Sequence, residues 1–181
     1  MKTTMVIFVM MIFLPSAWQS MAQTSTADYP ILTPPAPAAP RINGPIIYGV
    51  RPGSPFLYRI PCTGERPIVF GTSDLPKGLI LDKTNGIITG SILQAGTYSI
   101  VLTAKNKHGD ANRDLKIAVG DQLALTPPMG WNSWYIHYNR VSDKVMRQAA
   151  DQMISTGMAD YGYSFVNIDD CWMVKVNSDD P

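Results

Sequence analysis

Charge is scarce in this sequence, and neither sign prevails. Lys and Arg number 15 against 14 Asp and Glu over 181 residues, for a formal net charge of +1. That balance offers no electrostatic footprint for nucleic acid, which is met by clustered Lys and Arg. There is no polybasic run to hold an anionic membrane surface. Cysteine is nearly absent. Cys62 and Cys171 are too few for a disulfide scaffold. Long apolar runs are missing too. The stretch Val6–Leu14 falls far short of the ~20 residues needed to cross about 30 Å of hydrocarbon. Acids that could gather around calcium are dispersed. Asp74, Asp82, Asp110 and Asp114 form no ligand cluster and read as solvated loop acids, so no metal site is expected.

The amino-terminal segment reads as an address. Lys2 supplies a positive start, Val6–Leu14 an apolar centre, and Ser20-Met-Ala22 small residues at the −3 and −1 positions of a cleavage site. Residues 1–22 are therefore expected to be a cleaved signal peptide. No cysteine follows the apolar centre, which argues against a bacterial lipid anchor. The expectation is an exported protein, secreted or periplasmic, with no membrane anchor after cleavage. Residues 23–40 read as a linker. Pro34-Pro-Ala-Pro-Ala-Ala-Pro40 lacks large apolar residues and favours an extended polyproline conformation, suited to a spacer.

Residues 41–120 read as all-β. Pro and Gly are frequent, at 15 and 14 in the chain, and they cut runs rich in Ile, Val, Tyr, Phe and Thr. In Thr97–Ala104 the side chains alternate. Tyr98, Ile100, Leu102 and Ala104 share one face, and Thr97, Ser99, Val101 and Thr103 the other. Leu115, Ile117 and Val119 repeat the alternation. Asn85-Gly86 signals a tight turn between Leu79-Ile-Leu81 and Ile87-Ile88. About seven strands in this span predict a small β-sandwich. Cys62 reads as a buried apolar filler, and His108 as a surface residue in a turn.

From residue 121 the period changes, and 121–181 reads as a second module. Met129–Trp131 can form a short strand. Ser142 is a candidate N-cap with Asp143 in the first turn. Val145, Met146, Ala149, Ala150, Met153 and Ile154 follow a helical stripe, and Gly157 ends it. Gly162 then turns the chain into the apolar strand Ser164-Phe-Val-Asn-Ile168. Strand, helix, strand implies a right-handed βαβ unit with parallel strands. Such a unit needs neighbours on both faces. The stretch is far shorter than the ~250 residues of a (β/α)8 barrel, so it is expected to be the first two strands of an incomplete one.

Two dense motifs would fall at the carboxyl ends of those strands, where barrels of this kind place their sites. They are Thr126-Pro-Pro-Met-Gly-Trp-Asn-Ser-Trp134 and Phe165-Val-Asn-Ile-Asp-Asp-Cys-Trp172. Carboxylates beside indoles suit a sugar: carboxylates accept from hydroxyls, and indole faces pack on C–H faces. Asp169 and Asp170 are not arranged as a retaining catalytic pair. That chemistry needs two carboxyls roughly 5–5.5 Å apart across one bond, and neighbours in extended chain point to opposite sides. On spacing alone, one of them could equally cap the next turn.

The stretches Leu75-Pro-Lys-Gly-Leu-Ile-Leu-Asp82, Asn85-Gly-Ile-Ile-Thr-Gly90, Ala95-Gly-Thr-Tyr98 and Thr103-Ala-Lys-Asn106 resemble immunoglobulin-like, cadherin-like domains of bacterial secreted proteins. The two dense motifs, with Ser155-Thr-Gly-Met-Ala-Asp160 and Gly162-Tyr-Ser164 between them, resemble the amino-terminal barrel segment of the α-galactosidases of glycoside hydrolase family 27. This resemblance implies a (β/α)8 barrel and retaining hydrolysis of terminal α-linked galactose from oligo- or polysaccharides, without a cofactor. It also covers related α-N-acetylgalactosaminidases and β-L-arabinopyranosidases. It assigns Asp169 and Asp170 to sugar hydroxyls, including those at C4 and C6, and Trp134 to the pocket wall. Trp131 and Trp172 match motif positions that either pack or touch sugar. The family's nucleophile and acid/base are aspartates of later strands with no counterpart in these 181 residues. Asp179 and Asp180 are not substitutes, and the 181 residues alone are expected to be inactive.

Many relatives pair the cysteine of the Asp-Asp-Cys-Trp motif with one in the preceding loop. Tyr135–Val141 has none, so that pairing is not expected for Cys171. His137 reads as a loop surface residue. The expected whole is thus multidomain: an all-β immunoglobulin-like sandwich, then the first βαβ unit of a (β/α)8 TIM barrel. The alternative is a non-catalytic exported β-sandwich protein with a carbohydrate-binding or structural role.

Overall fold

The computed structural model describes residues 35–173. The expected signal peptide 1–22, the expected linker up to residue 34, and Asp179 and Asp180 lie outside the described residues. Among the described residues no helix is long and apolar enough to cross a membrane.

Residues 41–119 form nine strands: β1 (Arg41–Ile42), β2 (Ile47–Val50), β3 (Phe56–Arg59), β4 (Cys62–Thr63), β5 (Val69–Thr72), β6 (Leu79–Asp82), β7 (Ile87–Gly90), β8 (Gly96–Asn106) and β9 (Gly109–Val119). Seven of them have four residues or more, in line with the number the sequence predicts, and four of these (β6, β7, β8 and β9) are at the stretches it marks. The additions are the two-residue pair β1 and β4, antiparallel from Arg41↔Thr63 to Ile42↔Cys62. One sheet has the order β2-β9-β8-β5 and the other β3-β7-β6. β8 and β9 are a hairpin paired along their whole length, from Gly96↔Val119 to Asn106↔Gly109. β2 runs parallel to β9, Ile47↔Lys116 to Val50↔Val119, so the start of the module lies against its end.

The core follows the period-two pattern. Ile100, Leu102 and Ala104 are buried on β8, and Leu115, Ile117 and Val119 on β9. Phe56, Tyr58, Leu79 and Ile88 face them from the three-stranded sheet. Each buried Ile, Leu, Val or Phe among them contributes about 1.5–3 kcal/mol relative to an exposed side chain. On the outer face Leu57 and Ile80 alternate outward, 65% and 71% exposed. Between β6 and β7 the predicted turn is held by Asp82, whose carboxylate accepts from the Thr84 and Asn85 backbone N–H groups at 2.8 and 3.1 Å. The Asn85 side chain donates to it as well, and these donors hold the Asp82 carboxyl below its ordinary range.

Cys62 is fully buried and free, and burial pushes its thiol up. It stays protonated and fills space. His108 is exposed in the β8–β9 turn, where it pairs with Glu65 Oε2 at 2.5 Å. Lys107 pairs with the same carboxylate, and together these contacts hold Glu65 below its ordinary range. At the entrance to the module, the Ala38 carbonyl accepts from Glu65 N and Asn106 Nδ2.

The second module begins with β10 (Gly130–Asn132), followed by a one-turn helix α1 (Trp134–His137) and a 3-10 turn at Tyr138–Arg140. Then come helix α2 (Asp143–Ser155), a 3-10 turn at Met158–Tyr161, and β11 (Phe165–Asn167). β10 and β11 are parallel, Gly130↔Phe165 to Asn132↔Asn167. The approach is close: a Cβ on Gly130 would lie 2.0 Å from the Phe165 carbonyl oxygen. Ser142 caps α2 by accepting from Val145 N at 3.4 Å, and left-handed Gly157 (φ +81°) ends it beyond Thr156. The predicted stripe is only partly covered. Met153 is buried and Val145, Met146 and Ala149 are half-buried, but Ala150 is exposed and Ile154 is 60% exposed. Two strands are too narrow to cover the whole apolar face of the helix.

Candidate functional site at the carboxyl ends of the paired strands

β10 and β11 stop at the same level because Asn132 pairs with Asn167 in the parallel register. The residues that follow each strand therefore meet. Ser133, next after β10, is fully buried. Its N–H donates to the Asn167 carbonyl at 3.2 Å, and its carbonyl accepts from His137 N at 3.0 Å. Its hydroxyl accepts from Asp169 N at 3.1 Å. One small polar side chain thus ties the end of β10 to the residues following β11. A buried polar group needs such partners, since an unmade bond there costs about 1–3 kcal/mol.

Asn132 completes the link. Its Nδ2 donates to Asp169 Oδ2 at 2.8 Å, and its Oδ1 accepts from Trp134 N at 2.9 Å. Asp169 Oδ1 also accepts from Asp170 N at 2.8 Å, and Asp170 Oδ1 accepts from Cys171 N at 2.7 Å. Asp169 is therefore held through both oxygens. Asp170 is held through one, and its Oδ2 has no partner among the described residues. Both carboxylates are exposed and keep lone pairs facing solvent, the state needed to accept from incoming hydroxyls.

Trp134 opens α1 and is half-buried. Its ring stands edge-on to Tyr138 with centroids 5.3 Å apart. Tyr138 adopts φ +46° and ψ −121°, a conformation that costs energy for a side chain of its size. Trp172 is 67% exposed beyond the carboxylates. Trp131 is placed differently. The sequence reading ends the first strand at Trp131, whereas it lies in the middle of β10. Its ring is 5.8 Å from that of His137, in a groove of about 290 Å³ shared with Val145, Ala149, Met153 and Met158 of the α2 layer. Of its two readings, the geometry favours packing. His137 is half-buried in that groove rather than at the loop surface.

The structure thus brings Asp169, Asp170 and Trp134 to one strand-end surface and puts Trp131 on the helix side. Asn132, Ser133 and Tyr138 are additions that the sequence reading passes over. Asn132 and Ser133 carry a signal, since they are polar residues directly after an apolar strand within a dense motif. Tyr138 carries none. Cys171 is exposed and free. Among the described residues no three His, Cys, Asp or Glu side chains converge on a common point.

Residues 30–120 match the family model described as "Putative Ig domain", which is half of the chain. Residues 126–180 match the model described as "Alpha galactosidase A". "Alpha-galactosidase 3" of Arabidopsis thaliana is 36% identical over 95 residues, covering 52% of this chain and 22% of that protein. "Alpha-galactosidase A" of Cellvibrio japonicus is 52% identical over 52 residues, 29% of this chain and 13% of that protein. A solved "putative alpha-galactosidase" of Bacteroides fragilis superposes with a TM-score of 0.73 at 44% identity, over 78% of this chain and 30% of that one. A second solved protein of that organism, a "putative alpha-galactosidase/melibiase", gives 0.71 at 47% identity over 75% of this chain and 29% of that one. Those shares exceed either module alone, so each superposition runs through both. The chain spans less than a quarter of the two curated relatives and about 30% of the two solved structures. The chain therefore belongs to the Ig-domain family over residues 30–120, and from residue 126 its strand, helix and strand are similar to the start of the α-galactosidase domain.

Proposed function

We propose that the complete protein is an exported, retaining α-galactosidase, and that residues 126–173 supply one wall of its sugar pocket. The observation that carries this reading is the strand-end constellation. Asp169 is fixed by Asn132 and by the Asp170 N–H, Asp170 has a free oxygen beside it, and Trp134 stands on the neighbouring strand end. The carboxylates accept from hydroxyls of a terminal galactose, and the indole packs on its C–H face. Asp169 holds its hydroxyl in a fixed direction because both its oxygens are oriented by donors.

These two residues bind and do not react. The two carboxyls of a retaining reaction come from strands elsewhere in the barrel, and Asp169 and Asp170 orient the sugar towards them. The names of the relatives support galactose as the terminal sugar. Residues 1–22, with their positive start, apolar centre and small residues before the cleavage point, support export. A carbohydrate-binding role for the sandwich has no observation in its favour: the large apolar residues exposed on it, such as Ile46, Leu57, Val69, Ile80 and Leu93, are aliphatic, and sugar stacking needs aromatic faces.

The test is galactose release by the full-length protein from an aryl α-galactoside, alongside the aryl α-N-acetylgalactosaminide and β-L-arabinopyranoside. Turnover of the galactoside well above the other two is expected. Turnover of another sugar in its place would reassign the substrate, and turnover of none would sink the reading.

A further inference from the structure

Asp160 sits in the 3-10 turn between α2 and β11, at the opposite end of β11 from Asp169. Its Oδ1 accepts from Arg59 Nη2 at 2.7 Å and from Arg66 Nη2 at 3.0 Å, both arginines of the sandwich. Its backbone carbonyl accepts from Asn43 Nδ2 at 2.9 Å. Asn43 is held in turn by β9, where Arg113 donates to the Ile42 and Gly44 carbonyls at 3.1 and 2.8 Å. The two backbones meet beside these bonds. A Cβ on Gly162, which has φ +102°, would lie 3.0 Å from Gly44 Cα, so glycine is required there for both its conformation and its size. The neighbouring Ala159 is buried.

A second attachment lies at the connector. A Cβ on Gly49 of β2 would come within 2.5 Å of the Gln122 carbonyl oxygen and 2.6 Å of that of Leu123. The module is therefore fixed both through its covalent connector and through Asp160. At the other end of β11, the hydrogen bonds of Asp169 and Asp170 among the described residues all come from positions 132–171. None involves the sandwich.

We propose that the Ig-like module is the footing of the barrel's amino-terminal rim. Asp160 is its anchor, and the module sets the α2–β11 turn without taking part in sugar recognition. The last clause rests on the proposed function, and the footing itself does not. The electrostatics explain why an acid stands at this position. Two guanidiniums converge on one partly withdrawn oxygen, so the carboxylate bonds both and offsets one of their two charges. Without it, the two cations face each other with no counterion.

The test is amide hydrogen exchange on the full-length protein, read in peptides covering residues 41–45 and 158–163. Asp160→Asn is expected to raise exchange about tenfold in both stretches at once, the scale set by losing charge-assisted bonds. KM for the aryl α-galactoside stays within about twofold of wild type. Arg59→Met with Arg66→Met should raise the same two stretches while Asp160 is retained. If Asp160→Asn does not fold, Asn43→Ala removes one bond and should give a smaller rise in both. A rise confined to 158–163 would overturn the footing. A large rise in KM accompanying the release of 41–45 would overturn the exclusion of the module from sugar recognition. A wild-type protein that turns over none of the sugars would sink the functional reading, while the exchange result would still decide the footing.

Discussion

The two modules bury their apolar residues to very different degrees. In the sandwich, Ile60, Ile88, Ile100, Leu102, Leu115 and Ile117 are all but inaccessible and belong to one continuous core. In residues 126–173, Met153 and Ala159 are the buried apolar residues, whereas Ile136, Ile154, Phe165 and Ile168 are each 45% exposed or more. The contrast comes from topology. Two antiparallel sheets facing each other close a core between them. A parallel βαβ unit has two sheet faces and two edges to cover, and a single helix covers part of one face. The polar groups divide in the opposite way. The sandwich places its ion pairs on the surface or at Asp160, while the βαβ unit concentrates carboxylates, amides and an indole at its strand ends. One module closes a core of its own and the other gathers the candidate site.

Three substitutions would break or sharpen that contrast. Ile117→Ala removes a fully buried side chain from the middle of β9. It should cost about 2–5 kcal/mol, seen as a lower denaturation midpoint, with KM for the galactoside unchanged. A cost below about 1 kcal/mol would mean that the sandwich core is not close-packed. Ser133→Ala tests the opposite module. It leaves Asp169 N without its acceptor and should cost about 1–3 kcal/mol. It should also raise KM, since Asp169 loses one of the bonds that aim it. Stability loss with an unmoved KM would detach Ser133 from the site.

Tyr58→Phe has the smallest effect and the opposite sign. Tyr58 is 5% exposed and its hydroxyl has no partner among the described residues, while its ring packs edge-on to Tyr48 at 5.3 Å. Removing the hydroxyl should raise stability by about 1 kcal/mol. Burial pushes the Tyr58 phenol up to about 12. The folded protein then holds this proton more tightly than the unfolded chain does. Its contribution to stability is whole below pH 10 and declines as pH rises from 10 to about 12. Relative to wild type, Tyr58→Phe should lack that decline in alkaline melts. Equal alkaline slopes for the two proteins would place the titration elsewhere.

Much of this architecture is legible in the sequence wherever the signal is local. The alternation in Thr97–Ala104 and in Leu115–Val119 marks β8 and β9, because side chains of a strand point to opposite faces in turn. Ser142 and Gly157 mark the ends of α2 because a cap is a contact within one turn. The strand-end motifs are legible because a short apolar run stops at Asn132 on one side and at Asp169 on the other. What escapes is long-range. The parallel pairing of β2 with β9 joins residues about 70 positions apart in sequence. The role of Asp160 has no local signal, since Arg59 and Arg66 lie 101 and 94 positions away. For Trp131 the sequence leaves packing and sugar contact open, and its place in the groove beside α2 depends on a partner about 15 to 25 positions further along the chain.

The central claim is that the βαβ unit carries a sugar site that its own folding does not depend on. Asp170 tests it most directly, because it is exposed and one of its oxygens is free. Melting temperature and kcat/KM on an aryl α-galactoside should be measured side by side for full-length Asp170→Ala and wild type. The account predicts a melting temperature within a few degrees, as for other surface substitutions, and galactose release that is nearly abolished. Normal turnover by the variant would contradict the site, and lost activity accompanied by a collapsed melting temperature would make Asp170 a structural residue.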